Sequence, residues 1–168
     1  GTNHASVRVY DGAGNGTALT DAFQVKKDTV VPTVTDNQAG DDAWRNAAGT
    51  LYNVDFADAV SLLTKAEYTA WTGVGQTGTQ VVPLTAIFTS TGEASYTTDW
   101  AVNFPALAAG FNYVTVRASD NAGNLTTAAD AFYVKKDTLA PAAVTGLLGS
   151  PAAAPGEVEL RWSAPGDD

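Results

Sequence analysis

The side chains best equipped for chemistry in this chain are oxygen donors. Of its 168 residues, 18 are Asp or Glu and nine are Lys or Arg, which gives a formal net charge of −9; there is one histidine, and cysteine and methionine are absent. Asp28, Asp36, Asp41, Asp42, Asp120, Asn124 and Asp137 fall in stretches rich in Gly, Asn and Thr that read as turns. Carboxylate and amide oxygens are hard ligands, and Ca²⁺ gathers about six to eight of them. Without cysteine there are no thiolate sites and no disulfides. Asp and Asn are also the best turn formers, so plain turn chemistry competes with ligation at every one of these positions.

The residues needed for catalysis do not come together in the same way. His4 sits on what reads as an outward strand face, the many Ser and Thr have no histidine partner, and no G-x-S-x-G elbow occurs. The stretch Gly12-Ala-Gly-Asn-Gly16 has glycines enough for a phosphate loop, but no helix follows and no lysine sits in place. Asp41 and Asp42 are adjacent in a Gly-rich loop, a poor base for holding two carboxyls across a substrate. We expect no catalytic residue, no organic cofactor and no enzyme. Trp44, in Asp-Asp-Ala-Trp-Arg-Asn, has the ring to stack on a sugar, but packing against its own or the next domain is the simpler reading; Trp71 and Trp100 read as core. The doublets Lys26-Lys27 and Lys135-Lys136 read as solvating charge that guards a strand end, rather than as half of a Lys–Asn crosslink.

These groups must be positioned by the elements around them, and an internal repeat shows what those elements are. GTNHASVRVYDGAGNGTALTDAFQVKKDTVVP (1–32) aligns without a gap with GFNYVTVRASDNAGNLTTAADAFYVKKDTLAP (110–141), at an offset of 109 and with 18 of 32 positions identical. That spacing suits a whole domain and not a short solenoid repeat. Val114, Val116 and Ala118 alternate with Tyr113, Thr115 and Arg117, the period of a half-buried strand. Asp120-Asn-Ala-Gly-Asn124 then reads as a turn, with Phe132 and Val134 inward and Tyr133 outward on the returning strand. Tyr52-Val54-Phe56 and Trp100-Val102-Phe104 alternate likewise, Tyr68–Trp71 lies in another strand-like run, and Ala59–Tyr68 alone has some helical character. About seven short strands in roughly 110 residues predict an all-β, immunoglobulin-like β-sandwich with partial β domains flanking it.

The run V-R-A-S-D-N-A-G-N followed by F-Y-V-K-K-D-T-L-A-P resembles the closing strands of bacterial immunoglobulin-like (Big-type) surface repeats, and this resemblance covers residues 1–140. Residues 141–168, with Gly156-Glu-Val-Glu-Leu-Arg-Trp-Ser, look like the first strands of a fibronectin type III domain, in which Trp162 would be the core tryptophan beside Val158 and Leu160. The expected organisation is a closing hairpin of a preceding domain (1–28), a complete sandwich (29–140) and the start of a fibronectin-like domain (141–168). The resemblance implies a non-catalytic spacer repeat of a large extracellular or cell-surface bacterial protein, such as an adhesin stalk, surface layer or filament. The alternative is a carbohydrate- or ligand-binding accessory module of a secreted multidomain enzyme. Its partners would be the neighbouring domains of the same chain, with self-assembly through the orphan hairpin as a further route. An acidic chain lacks the clustered positive charge that nucleic acid demands, and no apolar run approaches the ~20 residues of a membrane span.

In such a sandwich the last hairpin turn lies at the pole where the chain enters, and the loop after the first strand lies at the pole where it leaves. Asp28, Asp120 and Asn124 would meet at the incoming pole, and Asp36, Asp41 and Asp137 at the outgoing one, with Asp42 beside them. Related surface repeats stiffen their junctions with calcium, so the resemblance implies Ca²⁺ as the one candidate cofactor.

Overall fold

In the computed structural model, which describes residues 1–38 and 42–166 (side chains of Ser90 and Thr91 aside), the chain is built from strands, with two three-residue 3₁₀ turns and no α-helix among the described residues. The all-β, sandwich-like expectation is what the chain adopts. Strands β1 (Thr2–Tyr10) and β2 (Gly16–Lys26) form a two-stranded sheet. Strands β3 (Thr33–Asp36), β5 (Val54–Ala57) and β8 (Ser95–Tyr96) form a three-stranded one. A five-stranded sheet runs in the order β4 (Trp44–Arg45), β10 (Leu125–Lys136), β9 (Gly110–Asp120), β6 (Leu63–Gly73), β7 (Thr77–Glu93). Strands β11 (Thr145–Pro151) and β12 (Val158–Ser163) pair last.

The core lies between the five- and three-stranded sheets, and it follows from period-2 patterning. Val114, Val116 and Ala118 of β9, Phe132 and Val134 of β10, Leu63, Ala66, Tyr68 and Ala70 of β6, and Val54 and Phe56 of β5 are all buried. At its centre Tyr52 stacks on Phe132 with ring centroids 4.5 Å apart, and Trp100 lies 5.0 Å from Tyr68 and 5.8 Å from Phe132. Aromatic rings bury the most apolar area per residue, so this cluster dominates the sandwich. The described residues between 33 and 136 form eight strands, two of them only two residues long, rather than seven. The helical character read over Ala59–Tyr68 is absent. The segment bends after β5 and enters β6 at Leu63, because Leu63, Ala66, Tyr68 and Ala70 are drawn into the core by sheet pairing with β9. Short helices have little stability of their own to oppose that.

The two copies of the repeat form hairpins of the same register. Ala5 faces Phe23 and Val7 faces Leu19 in the first hairpin, as Val114 faces Phe132 and Val116 faces Ala128 in the second. Both skip register at the same place, with Asp21 and Asp130 at φ of 51° and 49°. Their surroundings differ completely. Val7, Val9, Phe23 and Val25 are 51–60% exposed, whereas Val116, Ala118, Phe132 and Val134 are at most 6% exposed. Trp162 of β12, expected in a core, is 56% exposed beside exposed Val158 and Leu160, since among the described residues no second sheet covers β11 and β12.

Candidate metal centre

The turn joining β9 to β10 is built by its own side chains. Asp120 Oδ1 accepts from the backbone N–H groups of Ala122 (3.0 Å) and Asn124 (2.8 Å), and Asn124 Nδ2 donates to Asp120 Oδ2 at 2.7 Å. The first copy supplies the control. Asp11 takes the same bonds from Ala13, Asn15 and the Asn15 amide at 2.9, 2.8 and 2.8 Å. This network is therefore a property of the Asp-x-Ala-Gly-Asn turn itself, a side-chain-stabilised turn closed by glycine at φ 87° or 89°. The second copy goes further and binds the incoming linker. Asn124 Nδ2 also donates to the Val30 carbonyl at 3.0 Å, Thr126 Oγ1 donates to the Pro32 carbonyl, and the Pro32 side chain is fully buried.

That docking brings three acids together. One carboxylate oxygen from each of Asp28, Asp58 and Asp120 lies within 4.8 Å of the others. Asp58 directly follows β5, and its Oδ1 accepts from the backbone N–H groups of Val60, Ser61 and Leu62 at 3.1, 2.9 and 2.9 Å. Asp28 Oδ1 accepts from the Val30 N–H at 2.9 Å, while its buried Oδ2 has no hydrogen-bond donor. The Ser61 hydroxyl lies against Asp28 and Asp120 without a well-aligned bond to either. It nevertheless holds the Asp28 carboxyl below the usual carboxylate range, assisted by the Val30 N–H and opposed by partial burial and the charge of Asp120. Burial pushes Asp120 up, but the Asn124 side-chain and backbone donors outweigh it and leave that carboxyl lowered as well. Asp28 and Asp120 are thus ionised at neutral pH, side by side, in a chain of net charge −9.

The donor chemistry suits a divalent cation. The three groups are hard oxygen ligands, an orphaned buried carboxylate oxygen is among them, and their mutual repulsion is relieved by a charge of +2. Asp28, Asp120 and Asn124, named from the sequence, do meet here, with Asn124 bonding through its amide N–H rather than presenting it to a metal. Asp58 was not anticipated. The signal available was an Asp at a strand end before a short stretch of helical character, where an acid accepts several successive N–H groups.

The outgoing set behaves differently. Asp36 Oδ1 accepts from the Gln38 N–H and Asp137 Oδ1 from the Leu139 N–H, each at 2.9 Å, so both stabilise their own local turns. Asp42 pairs with Lys135 and accepts from the Tyr133 hydroxyl at 3.1 Å, and these two partners hold its carboxyl low. Asp41 lies outside the described residues. Among the described residues no group of three acids forms at this pole.

Both lysines of the second doublet are engaged, contrary to the reading of solvated charge. Lys136 Nζ donates to the carbonyls of Phe104, Pro105 and Leu107 at 3.2, 3.2 and 2.8 Å, capping the 3₁₀ turn at Phe104–Ala106. Lys135 lies over the rings of Phe111, Trp44 and Tyr133 at 5.2, 5.6 and 6.0 Å. Trp44 itself is on a short strand paired in parallel with β10, and not in an open loop; it stays 57% exposed. Sequence periodicity placed both lysines at a strand end but carried no trace of the turn and rings that fold against them. No match was found between this chain and any protein-family model, curated protein or solved structure against which it was compared.

Proposed function

We propose that this chain is a non-catalytic structural unit, a spacer repeat of a large extracellular bacterial protein, and that Ca²⁺ bound by Asp28, Asp58 and Asp120 stiffens the junction where one unit meets the next. The observation that carries this reading is the docked linker: Asn124 and Thr126 hold the backbone of Val30 and Pro32, with Asp28 placed against Asp58 and Asp120. A linker ending in a buried proline has little freedom to hinge. The same closing hairpin and Asp-Thr-x-x-Pro linker recur 109 residues apart, as serial units of a rod require. The exposed apolar face of β1 and β2 belongs, on this reading, against strands equivalent to β3–β8 of a preceding unit. Exchange with β9 and β10 of another copy gains nothing, because it buries one hairpin only by exposing its twin.

A site drawing three carboxylates from a linker and two loops should bind calcium at about 10⁻⁴ to 10⁻³ M, the range of extracellular modules. The test is calorimetric titration with CaCl₂ alongside small-angle X-ray scattering in calcium and in chelator. Saturable binding, with a narrower distribution of interatomic distances in calcium, is expected. Absence of binding heat with superimposable scattering curves would remove calcium from the reading.

A further inference from the structure

The outer face of the five-stranded sheet carries a second feature, unrelated to the acidic pole. Tyr133, Tyr113 and Trp71 stand opposite one another across β10, β9 and β6, forming one row. In the adjacent row Lys135 is flanked by Phe111 on one side and Trp44 on the other. Neighbouring centroids are close: 5.5 Å for Phe111–Tyr133, 6.1 Å for Trp44–Phe111, 6.2 Å for Tyr113–Tyr133 and 6.3 Å for Phe111–Tyr113. We propose that this aromatic face binds a neutral glycan.

The fold does not need these rings. The opposite face of the same strands supplies the core, and the first copy has Thr2, His4 and Gln24 where the second has Phe111, Tyr113 and Tyr133. With those residues it forms the same hairpin in the same register. Rings added to a strand pair that forms without them, and left 42% exposed at Phe111 and 57% at Trp44, give this face clustered aromatic surface that a partner can cover. Three of them also share one ammonium group at 5.2–6.0 Å, within cation–π range, a contact that favours their present arrangement before any ligand arrives.

Charge selects the partner. Lys135, the cation among the rings, is already paired with the Asp42 carboxylate, which also accepts from the Tyr133 hydroxyl. The other cations on this face among the described residues, Lys65 and Arg117, both pair with Glu67, so an anionic polymer finds no unpaired cation there and meets a chain of net charge −9. A cationic partner has to compete with Lys135 for the same rings. A neutral sugar has no such conflict: its C–H faces lie on the rings, and its hydroxyls bond to Asp42 and to the tyrosine hydroxyls.

The test is affinity electrophoresis of the full chain through gels containing soluble β-glucan, galactomannan or xylan, with polygalacturonate as the anionic comparison, in calcium and in chelator. Retardation by at least one neutral polysaccharide, unchanged by chelator, is expected. This independence of calcium separates the outcome from the junction reading. The double variant F111T/Y133Q installs residues that the first copy already tolerates, and Trp44→Ala alters only a two-residue edge strand; each should weaken retention about tenfold or more. The proposal is overturned by free migration in all three neutral gels, by retardation in polygalacturonate alone, or by undiminished affinity in variants whose thermal unfolding matches the parent. The last two outcomes assign the face to an acidic polymer or to plain packing.

Discussion

Replacing Asp58 by Asn separates the two roles that the incoming pole assigns to this side chain. The Asn carbonyl oxygen can still accept from the N–H groups of Val60, Ser61 and Leu62, so the bend after β5 keeps its support. What disappears is one negative charge among three. Asp58 has a carboxylate oxygen within 4.8 Å of both Asp28 and Asp120; each pair of unit charges at that distance repels by about 0.9 kcal/mol at the dielectric of water, and screening at physiological ionic strength brings the two pairs together to about 1 kcal/mol. In chelator, D58N is therefore expected to be more stable than the parent by about 1 kcal/mol. That corresponds to roughly 4 °C in midpoint for a domain of this size. In calcium the sign reverses. With a dissociation constant of about 10⁻⁴ to 10⁻³ M, 10 mM calcium stabilises the parent by roughly 1.4 to 2.7 kcal/mol through mass action. D58N loses most of that gain and becomes the less stable protein. Differential scanning calorimetry of both proteins, with and without calcium, yields the four midpoints. A variant destabilised equally in both buffers would refute the reasoning, since it would mean that Asp58 acts through its hydrogen bonds and that neither repulsion nor metal is at work.

Two further substitutions use the first copy of the repeat as an internal control. The Asn112 side chain is fully buried; it accepts from the Ala108 N–H at 2.9 Å and donates to the Ala108 and Gly110 carbonyls at 2.9 and 3.1 Å. Asn112→Ala orphans these groups and should cost about 3 kcal/mol in urea unfolding, whereas Asn3→Ala at the matching exposed position should cost under about 0.5 kcal/mol. Lys136→Met keeps the apolar stem but leaves three carbonyls without their donor, for an expected loss of about 2 kcal/mol; Lys27→Met, its exposed counterpart, should leave the midpoint unchanged. Equal effects at the paired positions would show that these contacts contribute no stability.

Strand class, the inward face of each closing strand and the turn between them were legible in the sequence because they depend on short-range order. Period-2 alternation decides which side chains face inward, and Asp-x-Ala-Gly-Asn folds into the same hydrogen-bonded turn in both copies whatever surrounds it. The repeat itself was the strongest signal, and its two hairpins agree down to the skipped register and the positive φ of Asp21 and Asp130. The approach of Asp28 to Asp120 was also within reach, once a sandwich topology was assumed to place the last turn beside the incoming linker.

What the sequence left open depends on long-range packing. Identical patterns produce a buried hairpin at β9 and β10 and an exposed one at β1 and β2, because burial needs a covering sheet and local pattern does not reveal whether one is present. Asp58, 30 residues from Asp28 and 62 from Asp120, joins them only through the pairing of distant strands. Lys135 and Lys136 look alike as a doublet, yet side-chain alternation turns one toward the aromatic outer face and the other toward the carbonyls of a 3₁₀ turn. Residue type and alternation fixed the chemistry that each side chain could offer. Only the tertiary structure decided which groups meet, since adjacency in a sandwich is set by sheet order and by which segments fold over the strand ends.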